Sequence, residues 1–560
     1  MGVCALVVIA GMALARALTP RDQVVGQAAA PDAPSMPRPE LQAATPQVLA
    51  TAARALGASA AEQTALLELY GSDLVVPIWL DGAVPTSQAG ETLALLRAAD
   101  RHGLAPADYL VGPVAAPGGA RAAEAEGPAA YDVALSLGVL RYMRHLHLGR
   151  VDPRAVGLRI DTWAEPHDFA ALLRQAVATR RVVSAVESLA PPFALYARLV
   201  EALPRYRAIA AGTDPEVPPF VRVVHPGEPY AGTPALGIHL HAHGDLAPAE
   251  VPPDGAERYE GAIVDGVRRF QARHGLTPDG VLGARTIAAA RVPASARVHQ
   301  IELALERLRW LPDLGARRLV VVNIPMFRLW AWDTLDVSLP PAFSTRVIVG
   351  RAVRTETPVF IEAMEHVIFR PYWNVPRSIL RGEILPAMRR DAGYLARQQM
   401  EVVGGAGDDA RPVAVGQGAF AALAAGTLRV RQRPGPHNAL GLVKFVFPNR
   451  ESIYLHGTPT PLLFARDRRD FSHGCIRVAD PAGLARWVLE GVAGWDAGRI
   501  ADAMHASVSA RVDLAAPIDV VLFYTTAAVL PEDGAVHFAD DIYGHDAALA
   551  RALAQPGDER

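Results

Sequence analysis

The chain has 560 residues and a mass of 59.6 kDa, length for three or four domains at roughly 150 residues each. Hydrophobic residues make up 51% and charged residues 20%, which excludes a largely disordered chain. A net charge of −3 gives no global attraction to nucleic acid or to an anionic membrane. Two cysteines, Cys4 and Cys475, exclude a disulfide-stapled scaffold. The basic residues are arginines apart from one lysine, Lys444.

Gly2 to Ala15 form one apolar run ending in Ala13-Leu14-Ala15. It is short for a bilayer span and fits the apolar region of a secretory signal. No positive charge precedes it and Arg16 follows, so residues 1–18 are read as a signal peptide or an uncleaved membrane anchor. Export sharpens the meaning of Cys475. Once a leader is removed, a lone thiol in an oxidising compartment is either a liability or a reactive group worth keeping. Residues 19–47 hold Pro20, Pro31, Pro34, Pro37, Pro39 and Pro46, which block helix and central strand and make a tether.

Residues 48–210 read as a helical domain. Val133, Leu137, Leu140 and Met143 fall on one helical stripe, and Gly149-Arg150-Val151-Asp152-Pro153 marks a stop and a turn. After a linker at 211–222, a small helical unit occupies 223–293. Val264, Val267 and Phe270 share a helical face, Gly275 stops that helix, and Pro278-Asp279-Gly280 makes a turn into a second apolar face at Leu282 and Ile287. His225 and His274 are expected to be structural or exposed. His239, His241 and His243 alternate like a strand face in a surface loop.

Residues 318–530 are β-rich. Arg318 to Ile324 and Phe327 to Trp332 predict a hairpin around Pro325-Met326, with further strands at Thr345 to Val349, Ala363 to Phe369, Leu442 to Phe447 and Ile453 to His456. The Gly- and Ala-rich segment 394–436 is expected as a long loop that serves as a lid. Residues 531–560, with Phe538, Asp540, Asp541 and Ile542-Tyr543, make a short packed extension.

The chemistry gathers in Tyr454-Leu455-His456-Gly457-Thr458 and Asp470-Phe471-Ser472-His473-Gly474-Cys475-Ile476-Arg477-Val478. His456 closes one strand and Cys475 opens the next, so neighbouring strands can bring a base and a thiol together. A free thiol is only a few per cent ionised at neutral pH, and an imidazole takes its proton either during attack or beforehand as an ion pair. Gly474 lets backbone approach a substrate carbonyl, and local N–H groups can steady an oxyanion. Asp480-Pro481 supplies an N-cap and a first helical proline for a helix through Trp487. Two rival readings use the same residues: an open zinc site of His456, His473 and Cys475, and a buried core thiol beside ordinary histidines.

These motifs resemble the L,D-transpeptidases, with a YkuD-type catalytic domain. Supporting matches are Gly350 with Arg354 and Thr357-Pro358, Pro371-Tyr372-Trp373-Asn374-Val375-Pro376 with Ser378-Ile379, and Asn438-Ala439-Leu440-Gly441 with Lys444-Phe445. Phe270-Gln271, His274-Gly275-Leu276, Asp279-Gly280 and Gly283 with Thr286 resemble the small peptidoglycan-binding module of bacterial wall enzymes. The domain order resembles the large periplasmic members found in Gram-negative bacteria. The resemblance implies a multidomain α+β protein: helical scaffold, small peptidoglycan-binding-like domain, and mostly-β catalytic domain with a lid insertion. It implies Cys475 as nucleophile and His456 as proton acceptor and donor. His473, Gly474 and Ser472 would support the oxyanion or the substrate, and Arg477, Gly457, Tyr372, Trp373 and Asn374 would contact substrate. No metal or other cofactor is expected. The partners implied are peptidoglycan stem peptides and other wall-synthesis enzymes, with no nucleic acid. The reaction implied forms a thioester at a diaminopimelate carbonyl, expels D-alanine and crosslinks two stems. Water or a protein amine as acceptor, and a noncatalytic wall-binding scaffold, are the alternatives.

Overall fold

A computed structural model describes residues 46–555 apart from 72–76, 83, 116–127, 161–166, 213–216, 218–221, 313, 315–316, 335–339, 353–354, 406–409 and 417. The leader with Cys4, nearly all of the proline-rich tether, and Arg354 lie outside the described residues.

The helical region is built around Pro128–Leu148. Val133, Leu137, Leu140 and Met143 are buried as their spacing predicts, but so are Ala134, Leu135, Ser136, Val139 and Tyr142. A helix buried on every side loses its polar stripe. Helices Pro46–Ala55, Ala60–Tyr70, Ser87–Arg97 and Phe169–Ala178 pack around it. Its polar residues are matched inside the core. Asp132 accepts from Tyr70 Oη at 2.5 Å and from the backbone N–H groups of Ile78 and Trp79 at 3.0 and 2.7 Å. Ser136 accepts from Trp79 Nε1 at 2.8 Å.

The small unit packs Thr233–Ala242, Ala262–Arg273 and Ala284–Ala290 around Val224, Tyr259, Val267, Phe270, Leu282 and Ile287. Gln271 explains the motif around it. Its amide donates to Asp279 Oδ1, Val281 O and Thr286 Oγ1, and its carbonyl accepts from Gly280 N at 2.8 Å. Gly280 needs its φ of +75° for that turn. The histidine run differs from the strand-like loop expected. His239 and His241 lie on a helix and His243 caps it, so His239 and His243 sit one turn apart with ring centroids 4.4 Å apart, both buried. Three residues of alternation cannot separate period 2 from period 3.6.

Helix Ala294–Arg309 joins the regions. It packs on Ala194–Ala211. Arg307 pairs with Asp546 at 2.5 Å, which binds the C-terminal helix His545–Ala554. Glu306 accepts from Val151 N at 3.0 Å and from Arg309 at 2.9 Å, just after the central helix of the first region. Residues Ala44–Arg560 thereby form a single unit.

The β-rich region forms a nine-stranded sheet. The expected hairpin is Leu319–Asn323 with Arg328–Trp332. Phe343–Gly350 pairs on one edge with Arg328–Trp332 and on the other with Ile476–Val478, so eight strands close on themselves. Asp470–Ser472 adds in parallel to the end of Phe343–Gly350. Closure leaves an interior filled by Val322, Val347, Val367, Phe445, Leu455 and Ile476, all essentially inaccessible.

Residues 394–436 are not the long loop their composition suggests. They carry strands Met400–Gly404, Arg411–Pro412 and Arg429–Gln432 and helix Ala419–Ala425. With Trp373–Asn374 they make a separate four-stranded sheet over a core of Val375, Leu380, Ile384, Met388, Val402 and Val430. The small residues close tight turns within a folded insertion. The C-terminal segment is ordered too: Val536–Phe538 pairs with Ala527–Val529 before the last helix.

Asp132→Ala would strand two backbone donors in the core and take one of its three partners from the Tyr70 hydroxyl, which keeps Asp132 O and Ser136 Oγ. It is expected to cost on the order of 3 kcal/mol, read as a lowered midpoint in denaturant unfolding followed by tryptophan fluorescence. A variant as stable as the parent would show that Asp132 is not the pin of this core.

Candidate active site

Leu455–His456 and Ile476–Val478 are neighbouring parallel strands, with Leu455 opposite Ile476 and His456 opposite Arg477. Strand alternation sends Leu455 and Ile476 into the interior and leaves Tyr454, His456, Cys475 and Arg477 on the opposite face. On the other side of His456 stands Lys444, its antiparallel partner. One row across the sheet therefore reads Lys444, His456, Arg477.

That row governs the imidazole. His456 is 4% exposed. Its pKa is pushed down to about 3 by burial, then by the Arg477 charge, with Lys444 adding to it. The ring is neutral at any physiological pH. Among the described residues no well-aligned hydrogen bond reaches Nδ1, although the Gly457 and Leu440 backbones face the ring.

Cys475 lies just before its strand, half-buried. Among the described residues no hydrogen bond joins it to His456. The sulfur donates to Ser452 O at 3.8 Å, and the Tyr454 backbone N–H and phenol both face it. Ser452 holds a φ of +57°, which a non-glycine residue adopts only under constraint. Burial pushes the thiol pKa up, and Tyr454, Lys444 and Arg477 partly oppose that. The resting group is a thiol rather than a preformed thiolate–imidazolium pair. Tyr454 stands edge-on to His456 with ring centroids 5.7 Å apart, and Lys444 Nζ lies 4.0 Å from its ring centroid. Sequence reasoning gave roles to neither Tyr454 nor Lys444. The available signals were a tyrosine two residues before the histidine and the sole lysine of the chain.

The other site residues divide. Ser472, expected at the oxyanion, is a buried clip: Oγ donates to Cys475 O at 2.6 Å and accepts from Gly474 N at 3.2 Å. That bond already engages the Gly474 N–H, whereas no acceptor among the described residues takes up the Cys475 N–H. Gly474 itself, at φ +111°, makes the turn. Gly457 is buried against Leu440 and Pro481 rather than open to a ligand. His473 is exposed and its Nε2 meets Glu383 Oε1 at 2.9 Å. Glu383 belongs to a π-helical turn, Leu380–Ile384, of the insertion, a distortion common at functional sites. Tyr372, Trp373 and Asn374 also belong to the insertion. Arg431 stacks over Tyr372 at 4.0 Å, Trp373 packs on the insertion core, and Asn374 pairs with Arg431 at its sheet edge. Arg477 is half-buried beside His456, its pKa lowered by burial and by Arg351. His456, His473 and Cys475 do not converge as ligands; among the described residues no cluster of three metal-ligating side chains occurs.

The loop is held from behind. Thr357 Oγ1 donates to Gly474 O at 2.7 Å and accepts from Gly350 N at 2.9 Å. Tyr543 Oη donates to Gly350 O at 2.7 Å and accepts from Thr357 N at 3.2 Å. A side chain at Gly350 would strike Thr355 O at 1.9 Å. Asp480 caps helix Pro481–Val488 through Gly483 N at 2.8 Å, as its sequence predicts.

The described residues thus form a closed sheet carrying a thiol loop between two strands, preceded in the chain by a helical region and a small three-helix unit. Residues 317–496 match the family described as "L,D-transpeptidase catalytic domain", residues 235–290 the "Putative peptidoglycan binding domain", and residues 64–203 the "Scaffold domain". The chain thus carries an L,D-transpeptidase catalytic domain preceded by a scaffold domain and a peptidoglycan-binding domain. A "Putative L,D-transpeptidase" of Haemophilus influenzae is 32% identical over 247 residues, 44% of this chain and 48% of that protein. The match therefore spans about half the length of the curated relative. A crystal structure of the L,D-transpeptidase (residues 123–326) from Xylanimonas cellulosilytica covers 55% of this chain and 100% of its own at 15% identity. Its TM-score of 0.17 is too low to bear on the fold.

Thr357→Val keeps shape and removes both hydroxyl contacts. Amide exchange at Cys475 and Ile476 is expected to rise about tenfold, measured by hydrogen exchange with mass spectrometry. Unchanged exchange would show that Thr357 does not hold the loop.

Proposed function

We propose that this chain is an exported cysteine L,D-transpeptidase, working in the periplasm, that crosslinks peptidoglycan stems between diaminopimelate residues. The observation that carries the reading is the grouping of Cys475 with Tyr454, neutral His456, Lys444 and Arg477 on one sheet face inside an L,D-transpeptidase catalytic domain. The peptidoglycan-binding domain supports the wall as the substrate.

Cys475 Sγ attacks the diaminopimelate carbonyl of a tetrapeptide stem. Its proton passes to neutral His456 as the C–S bond forms, since a raised thiol pKa and a depressed imidazole pKa disfavour an ion pair in advance. The hydrogen bond absent at rest closes with substrate in place, as catalytic contacts often do. The Cys475 N–H steadies the oxyanion, and Lys444 and Arg477 add positive potential. His456 returns the proton to the leaving D-alanine amine. The thioester is then taken by the amine of a second stem, and the insertion, latched to the loop through Glu383 and His473, keeps water away.

Incubation with a disaccharide-tetrapeptide is expected to give crosslinked dimer and D-alanine; tripeptide in its place would assign water as acceptor. Cys475→Ala is expected to abolish both turnover and the single adduct formed with a carbapenem. His456→Ala should lower turnover by about 10²–10⁴. If His473→Ala is the dead variant instead, the base assignment fails.

The pH profile follows from the same shifts. Coupled transfer needs Cys475 as the thiol and His456 neutral, so acylation is expected to be level between pH 5 and 7 and to change only where the raised thiol titrates, in the alkaline range. His456 stays unprotonated down to about pH 3 and imposes no acidic limb between pH 5 and 7. Tyr454→Phe removes a donor that favours the thiolate and should move that alkaline change to higher pH. A rate that climbs about tenfold per pH unit from pH 5 to 7 would mean that only the thiolate attacks and would contradict this account.

Glu383→Ala frees the latch. It is expected to raise KM for the tetrapeptide several-fold and to shift product toward tripeptide. An unchanged crosslink-to-hydrolysis ratio would remove the insertion from the exclusion of water.

A further inference from the structure

Away from the thiol, a groove of about 800 Å³ runs between the peptidoglycan-binding domain, at His274 to Pro278, and the catalytic domain, at Ser344 to Arg346 and Ala465 to Arg469. It continues into a recess of about 760 Å³ that reaches Arg351, Asp470 and Phe471, four residues before Cys475. Thr277, Arg285, Arg466 and Asp467 line both parts, so the two are one path from the binding domain to the nucleophile loop.

The walls of this path are unbalanced in charge. Its acids are already engaged. Asp467 accepts from Thr277 at 2.6 Å and Arg285 at 2.8 Å, Asp470 pairs with Arg468 at 2.7 Å, Asp480 caps a helix, and Asp540 lies 4.0 Å from Arg285. Four arginines have no carboxylate partner among the described residues. Arg346 donates only to Phe464 O at 3.1 Å, and Arg469 only to the carbonyls of Val347, Arg466 and Phe327. Arg466 stands 6.0 Å from the Phe471 ring centroid, and Arg351 is exposed at the far end. The crowding is strong enough that burial, then Arg346, push the pKa of Arg469 down to about 10. Guanidinium groups in excess along a groove of ligand size point to an anionic occupant.

We propose that this groove binds the carboxylate-bearing peptide portion of the wall, holding a stem-bearing strand between the peptidoglycan-binding domain and Cys475. The proposal rests on the function given above for its choice of anion. Spaced carboxylates on an extended peptide suit spaced guanidiniums that fork onto carboxylate oxygens. The path's end beside the nucleophile loop gives such a peptide a reason to be there. On this reading the binding domain and the catalytic domain share one recognition surface, and their mutual contacts at Thr277, Arg285 and Asp467 set its width.

The test uses the full chain and isolated sacculi in sedimentation assays at fixed salt. The double variant Arg346→Gln/Arg466→Gln is expected to bind about tenfold more weakly, and Arg346→Lys/Arg466→Lys to keep most of the binding. Thermal unfolding of each variant reports that the fold is kept. Sacculi whose carboxylates have been amidated should be bound by the parent as weakly as native sacculi are bound by the glutamine variant. Equal binding of parent and glutamine variant, or equal binding of native and amidated sacculi, would overturn the groove. Acylation of the parent by a carbapenem is scored separately: its failure would remove the transpeptidase reading while the binding comparison still judged the groove.

Discussion

The parallel register between Leu455–His456 and Ile476–Val478 is the constraint on which the site depends. Because paired residues in parallel strands share a face, that register commits Leu455 and Ile476 to the interior and the polar set to the outside. A slip by one residue would bury Cys475 and Arg477 and expose Ile476. The surrounding structure serves this pairing. Lys444 comes from the antiparallel neighbour, Ile348 pairs with Arg477 from the other side, and the Thr357–Tyr543 bonds hold the loop that feeds the second strand.

The same geometry makes the chemistry unlike a simple thiolate–imidazolium pair. Burial, with cations on both sides adding to it, keeps the imidazole neutral, and the same cations partly offset the rise that burial gives the thiol. On the proposed mechanism, His456 stays unprotonated and Cys475 protonated until a substrate carbonyl arrives. On that proposal proton transfer and C–S bond formation are coupled. Tyr454 mediates between the two groups by position, touching the thiol and standing edge-on to the imidazole.

Two long-range joints tie the catalytic sheet to the rest of the chain. Helix Ala294–Arg309 reaches out in two directions, Glu306 accepting from the Val151 backbone N–H of the first helical region while paired with Arg309, and Arg307 pairing with Asp546 of the C-terminal helix. Such pairs contribute orientation more than net stability, because desolvation offsets much of their attraction. The insertion forms the other joint. It folds over its own core and reaches back through Glu383 to His473, next to the Cys475 loop. The chain between strands Phe360–Phe369 and Val443–Val446 was readable as a cover, but not as a folded one.

The sequence alone determined the chemistry-bearing segments, because their signals are local. A thiol flanked by Ser472, His473 and Gly474, a histidine ending a strand, the Asp480-Pro481 cap and the Gln271 turn each fit within a few residues. It also showed which regions are helical and which are β-rich, since burial on one face leaves a period. Where burial is complete, as in Pro128–Leu148, or the run is too short, as at His239 to His243, the period misleads. Only the tertiary structure decided what faces what. It set Tyr454 rather than His456 against the thiol, turned Ser472 inward as a clip, and turned His473 outward to a carboxylate 90 residues away. It also aligned arginines from two domains along one groove. These are relations across strands and domains, produced by sheet closure and packing, and no spacing along one chain encodes them.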